Sequence, residues 1–111
     1  MIVNNNETEI KLGVTGISKA SNSTVTSIGS NAFTNCSKLT SVSFKSVTSI
    51  GYGAFDGCTS LTTATFPSAT TIGGYAFYGC YNLTTASFQN ATTIGSNAFY
   101  TCRNLTTAIF P

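Results

Sequence analysis

A period of 22 residues governs this chain from residue 26 to its last residue. Each copy opens on Thr, Ser or Thr, Ile and Gly, and continues with Ala-Phe, Cys, Leu and a final Phe at fixed offsets. A constant period of this length is typical of stacked repeats, in which each unit buries its apolar face against its neighbours. We therefore expect a solenoid of four repeats, at 26–47, 48–69, 70–91 and 92–111, the last two residues short.

Within each repeat the pattern predicts two short extended segments and one helical turn. In residues 61–66 apolar side chains alternate with Thr63 and Thr65, which predicts a strand with hydroxyls on its outer face. A second short strand ends at Gly73, and we expect this glycine and its equivalents to turn the chain with a positive φ. Residues 74–80 carry Ala, Phe and Cys at i, i+1 and i+4, which favours one turn of α- or 3₁₀-helix.

The two ends of the chain differ from the repeats between them. Residues 1–25 lack the Ile-Gly and Ala-Phe pairs, although 7–14 alternates like a strand, so we expect an N-terminal cap with a degenerate repeat. No cap is evident after the segment from Leu105 to Phe110. An uncovered parallel strand favours either a longer array or end-to-end self-association through this segment.

The repeat motif itself resembles a known family. It is carried by Ile50, Gly51, Ala54, Phe55, Cys58, Leu61 and Phe66 and by their equivalents over residues 26–111. This combination resembles the BspA-like class of leucine-rich repeats. The resemblance implies a curved, right-handed solenoid with a parallel β-sheet on the concave side and short helical turns opposite. It also implies adhesion or host interaction at a cell surface or outside the cell.

One core position departs from the family pattern, which has Leu or Ile in the middle of the strand. Here the strand has smaller residues, and we expect a slimmer solenoid at this position: Val42, Ala64, Ala86 and Ala108.

Composition argues against several classes of partner. The chain has five basic and three acidic residues, and none of either kind between Asp56 and Arg103. Without a local run of Lys or Arg, nucleic acid binding is disfavoured. No run of about 18 apolar residues is present, so no membrane insertion is expected. A surface or extracellular location would need a signal that this chain does not contain, since polar Asn4 follows only three residues.

Four cysteines recur at the repeat period: Cys36, Cys58, Cys80 and Cys102. Stacked equivalents would lie about 4.7–5 Å apart with parallel side chains. Such a row cannot converge on one zinc ion, whose thiolate ligands lie about 2.3 Å from the metal. Parallel Cβ vectors also disfavour disulfides. We expect free thiols in the core, and neither metal nor cofactor.

The inventory of reactive residues does not favour an enzyme. The chain has no His, and Asp56 is its only Asp. A Ser-His-Asp relay, a Cys-His pair or a paired-carboxylate site cannot be built from these residues. We therefore expect no catalytic residues.

Two exposed surfaces are candidates for binding. The first is a hydroxyl grid on the outer face of the strands: Ser41, Ser43, Thr63, Thr65, Thr85, Ser87 and Thr107. Concave faces of solenoids are common binding surfaces, but Ser and Thr also simply suit exposed strands. The second is an aromatic patch, because Tyr combines contact area with a polar tip: Tyr52, Tyr75, Tyr78, Tyr81 and Tyr100.

These observations favour a non-catalytic protein-interaction or adhesion module whose partner is a host or matrix protein. A structural or self-assembling spacer is the alternative from another class. Carbohydrate binding is disfavoured by the lack of carboxylates and amides near the tyrosines. Ice binding is disfavoured because only Thr63 and Thr65 form a complete Thr-x-Thr row.

Overall fold

The computed structural model describes residues 9–10 and 18–111, in which ten short strands form two parallel sheets. The major sheet contains β2 (Lys19–Asn22), β4 (Ser41–Phe44), β6 (Thr63–Thr65), β8 (Thr85–Ser87) and β10 (Thr107–Ile109). The minor sheet contains β1 (Glu9–Ile10), β3 (Ser27–Ile28), β5 (Ser49–Ile50), β7 (Thr71–Ile72) and β9 (Thr93–Ile94). The chain alternates between the sheets, so successive coils stack as the predicted solenoid.

The register of both sheets follows the repeat period. Thr63 pairs with Ser41 on one side and with Thr85 on the other. Ile50 pairs with Ile72 in the minor sheet. Equivalent residues therefore lie directly above one another, and every inward position becomes a column that runs through the molecule.

Two columns of stacked phenylalanine rings form the centre of the core. The first has neighbouring ring centroids 5.1–5.3 Å apart: Phe33, Phe55, Phe77 and Phe99. The second has centroids 5.4–5.8 Å apart: Phe44, Phe66, Phe88 and Phe110. Rings of the two columns also meet edge to face, as Phe66 and Phe77 do. The remaining inward positions of the second repeat are buried as predicted: Ile50, Ala54, Cys58, Leu61 and Ala64.

The predicted helical turn is wrong, since the described residues contain no helix. The amide of Ala54 donates to the carbonyl of Gly51 at 3.2 Å, which closes a β-turn. The next amide, that of Phe55, instead donates to the carbonyl of Ala76 in the following coil at 2.7 Å. Amides of residues 53–57 alternate between these two partners. A helix would use every amide within its own segment, so contact between coils replaces it with consecutive turns.

Each coil needs two residues with positive φ to make these turns. Gly and Asn adopt this conformation most readily and occupy most of the positions, with Tyr75 and Thr101 as exceptions: Asn31, Asn35, Gly53, Gly57, Tyr75, Gly79, Asn97 and Thr101.

The prediction for Gly73 and its equivalents Gly29, Gly51 and Gly95 is also wrong, because none of them has a positive φ. Glycine is required at position 73 because neighbouring coils approach each other closely there. A Cβ atom there would lie 2.6 Å from the carbonyl carbon of Gly51 and 2.7 Å from the amide nitrogen of Tyr52. Both contacts are with backbone atoms, so the chain admits no side chain at this position.

Threonine side chains add a second set of contacts between coils. One column donates from Oγ1 to a carbonyl in the preceding coil over 2.9–3.2 Å: Thr40, Thr62, Thr84 and Thr106. Another does so over 3.1–3.3 Å: Thr48, Thr70 and Thr92. These seven threonines therefore stabilise the stack beside the strands.

We expect Thr62→Val to lower the free energy of unfolding by about 1 kcal/mol, because it removes one side-chain hydrogen bond to the carbonyl of Thr40. Thr65→Val is the matched control, since Thr65 is exposed on β6 and donates no side-chain hydrogen bond within the described chain. Urea denaturation of both variants measures the difference. Equal losses would show that the hydroxyl hydrogen bond is not what stabilises the stack.

At the N-terminal side, β2 lies beside β4 and places Asn22 where β4 has Phe44. The Oδ1 atom of Asn22 accepts hydrogen bonds from the amides of Thr24 and Val25 at 2.8 and 2.7 Å.

Of the strand predicted over 7–14, only Glu9–Ile10 lies among the described residues, where it forms β1. The division into a cap and four repeats stays a prediction. No helix in the described part of the chain could span a membrane.

Candidate functional site

The cysteines lie in the core as predicted, with one difference. Cys36, Cys58 and Cys80 are buried free thiols, whereas Cys102 is half-buried. The Cys58 thiol donates to the carbonyl of Phe33 over 3.1 Å, and this contact recurs in later coils. Burial raises the pKa of Cys58 to about 12 and that of Cys102 to about 11, which keeps both neutral at ordinary pH.

No metal-binding constellation arises among the residues that the structure describes. They contain no group of three or more His, Cys, Asp or Glu side chains that could hold an ion. The remaining candidate binding residues lie on the outer surface.

The hydroxyl grid lies on the outer face of the major sheet. Within β6, Thr63 is half-buried and Thr65 exposed, while Ala64 between them is buried, as predicted. Unlike the threonine columns, the grid side chains make no hydrogen bonds to other residues of the described chain. Their hydroxyls are therefore available to solvent or to a partner.

Four tyrosines form a continuous row on the turns, which we term the tyrosine ladder: Tyr52, Tyr75, Tyr78 and Tyr100. Successive ring centroids are 5.5, 5.2 and 5.6 Å apart. The rings of Tyr78 and Tyr100 are nearly parallel, at 10°, and the other two pairs are tilted. Tyr52 and Tyr100, at the ends of the ladder, are 55% and 57% exposed, which is high for side chains of this size.

Tyr81, the fifth member of the predicted patch, makes no ring contact with the ladder. It pairs instead with Arg103, whose guanidinium carbon lies 4.2 Å from the centre of the Tyr81 ring. This is a cation–π contact on the surface of the loop that follows the cysteine. Sequence reasoning did not single out Arg103, although it stands one repeat after Tyr81.

Two neighbouring residues contact the ladder. A Cβ atom on Gly74 would lie 3.5 Å from the Tyr52 ring, an ordinary van der Waals distance, so this ring packs directly over the glycine. Tyr75 has a positive φ of 58°, and its hydroxyl accepts a hydrogen bond from the Asn97 side-chain amide at 3.0 Å. A bulky aromatic residue in this conformation is rare. Neither Gly74 nor Asn97 was predicted, because their contacts are between coils. The Asn97 amide also contradicts the expectation that no amide lies near the tyrosines.

Known proteins share this repeat architecture. The family model described as a BspA type leucine rich repeat region (6 copies) matches residues 14–111. A leucine-rich repeat protein from Bacteroides ovatus superposes with a TM-score of 0.71 and 27% identity over 95% of this chain and 35% of its own. A T. pallidum leucine-rich repeat protein gives a TM-score of 0.65 and 24% identity over 86% of this chain and 70% of its own.

The chain thus spans about a third of the Bacteroides protein and 70% of the treponemal one. The search of curated proteins gave no significant match. Because the family match extends over most of the sequence and agrees with the coil register, this chain belongs to the BspA-type leucine-rich repeat family.

Proposed function

We propose that this chain is a non-catalytic protein-interaction module that binds its partner through the tyrosine ladder. Leucine-rich repeats generally mediate protein interactions, and extended solenoid surfaces suit that role. Tyrosine is enriched at protein interfaces because it combines a large contact area with a polar tip. Four such side chains in contact offer one surface across three coils.

The observation that carries this proposal is the backbone of Tyr75. Other coils have Asn31, Gly53 and Asn97 at the equivalent position, all residues that tolerate a positive φ. A tyrosine there costs about 1–2 kcal/mol of backbone strain. Thr101 is strained in the same way, so strain alone does not mark a binding residue. At Tyr75 the strain coincides with a ring contact on either side within the ladder, and this combination supports a role beyond folding.

The hydroxyl grid is a second candidate surface for the same function. Its support is that its side-chain hydroxyls form no hydrogen bonds with other described residues. We place it second because Ser and Thr suit exposed strands in the absence of any ligand.

We further propose that the module belongs to a cell-surface or secreted protein and contributes to adhesion to a host or matrix protein. Family membership supports this location. The alternative, a spacer that positions other domains, would need neither exposed tyrosines nor the strained Tyr75.

The experiment compares three proteins on immobilised extracellular matrix proteins and on a glycan array. The ladder variant is Tyr52→Ser/Tyr100→Ser, and the matched control on the hydroxyl grid is Ser43→Ala/Thr65→Ala. We expect the wild type to bind a matrix protein, the ladder variant to lose at least about tenfold in affinity, and the grid variant to bind normally.

Each other outcome contradicts the proposal in a different way. Loss of binding only in the grid variant would move the function to the major sheet. Binding confined to the glycan array would indicate a carbohydrate ligand. No binding by the wild type on either array would favour the spacer.

A single substitution separates binding from folding at Tyr75. Tyr75→Asn installs the residue found at Asn31 and Asn97. We expect the free energy of unfolding to stay within about 1 kcal/mol of the wild type, because relief of strain offsets the lost ring contacts. Matrix binding should fall. A loss of stability near 3 kcal/mol with binding intact would make the ladder a structural element.

A further inference from the structure

An acidic residue occupies the position that stacks, in the next coil, on a tyrosine of the ladder. Asp56 occupies the turn position that Tyr78 occupies one coil later and Tyr100 two coils later. The amides on either side of Asp56, those of Phe55 and Gly57, donate to the next coil at 2.7 and 2.8 Å, the latter to the carbonyl of Tyr78. These bonds fix Asp56 one coil spacing from Tyr78.

Nothing in the described chain balances this charge. Asp56 is half-buried and makes no ion pair or side-chain hydrogen bond with any described residue. The four turn segments, 29–35, 51–57, 73–79 and 95–101, contain no Lys or Arg. Burial raises the pKa of the Asp56 carboxyl, as expected for an anion that has lost water without gaining a cation.

The tyrosine rings of the ladder, like the Asp56 carboxylate, favour a cationic ligand. The face of a tyrosine ring is electron-rich and attracts a Lys or Arg side chain. The chain already contains such a contact on its surface, between Arg103 and Tyr81 at 4.2 Å. No described Lys or Arg makes such a contact with Tyr78, and Asp56 occupies the equivalent position one coil before it.

We propose that Asp56 and Tyr78 together bind a lysine or arginine side chain of a basic segment of the partner protein. The carboxylate supplies the opposite charge, and the rings on either side of Tyr78, Tyr75 and Tyr100, give the aliphatic stem of the partner residue an apolar surface. This inference rests on the proposed function and adds the chemical class of the partner.

The test uses tyrosine fluorescence, since the chain has five Tyr and no Trp. The probes are a short peptide of alternating glycine and arginine and the same peptide with neutral citrulline replacing each arginine. We expect the arginine peptide to change the fluorescence saturably at low salt and the citrulline peptide to bind at least about fivefold more weakly. Raising the salt concentration should weaken only the arginine peptide.

Two variants separate a local site from net charge. Asp56→Asn should weaken the arginine peptide about fivefold and leave the citrulline peptide unchanged. The double variant Asp56→Asn/Thr65→Asp restores the wild-type net charge on the major sheet, away from the ladder, and should remain weak. Recovery of affinity in the double variant, or equal binding of both peptides by the wild type, would overturn the inference.

Failure here is distinguishable from failure of the proposed function. If the ladder variant loses matrix binding while Asp56→Asn retains it in full, the ladder is the binding surface and the cation site is wrong. If Asp56→Asn and the ladder variant both lose matrix binding, the result supports both proposals.

Discussion

Phe77→Ala lowers the free energy of unfolding by about 4 kcal/mol, the largest loss we expect from a single truncation in this chain. The Phe77 ring is buried, stacks on Phe55 and Phe99 at 5.1 and 5.3 Å, and meets Phe66 and Phe88 edge to face. Alanine removes all four ring contacts and leaves a cavity between coils that hydrogen bonds hold in register. Thermal or urea denaturation measures the loss.

Phe77→Leu is the control for this substitution. Leucine retains much of the apolar volume but none of the ring stacking, so we expect a loss of about 1–2 kcal/mol. A loss below about 1 kcal/mol for alanine would mean that the phenylalanine columns do not hold the coils together.

Gly73→Ala produces the second large effect, a loss of about 3 kcal/mol, at the upper end of the usual range for overpacking. The new methyl group would meet backbone atoms of Gly51, Tyr52 and Ile50 at 2.6–2.8 Å, and no side chain can move to relieve these contacts. Only separation of the two coils makes room, and it would break the hydrogen bond from the Gly73 amide to the carbonyl of Ile50.

The neighbouring glycine provides the matched control. A Cβ atom on Gly74 would lie 3.3 Å from the Ser96 carbonyl oxygen, which needs a shift of only a few tenths of an ångström, and at an ordinary van der Waals distance of 3.5 Å from the Tyr52 ring. We expect Gly74→Ala to change the free energy of unfolding by less than about 1 kcal/mol. Equal losses at the two positions would contradict the close approach of coils at Gly73.

The strands and the core were predictable because the repeat and the strand each impose a strict period. Alternation fixed which side of 61–66 faces inward, and the 22-residue period implied that each inward residue stacks on its equivalent. Leu61, Ala64 and Phe66 are all buried as a result.

The turns were not predictable in the same way. The spacing of Ala76, Phe77 and Cys80 fits a helical turn and a series of β-turns equally well, because both bring these side chains to one side. The choice depends on alternate amides bonding to the next coil. The Phe77 amide, for example, donates to the Ala98 carbonyl at 2.7 Å. The sequence of a single repeat does not reveal which backbone amides bond to the next coil.

The tyrosine ladder was foreseen as a patch but not as a row. Tyr52, Tyr75 and Tyr78 occupy three different positions of the repeat, so the period alone does not align them. Their rings meet because the stacking of coils brings the three positions together, with Tyr75 in a positive-φ conformation. Tyr81 lies only three residues after Tyr78, yet its ring pairs with Arg103 rather than with the ladder.

Tyr100→Ser tests most directly whether the residues that bind a partner are separate from those that fold the chain. Tyr100 is 57% exposed and contacts the ladder only through Tyr78. Unfolding and matrix-protein binding are measured on the same preparation. We predict that the free energy of unfolding changes by less than about 0.5 kcal/mol while binding affinity falls several-fold. Unchanged binding together with a loss of stability would contradict the account.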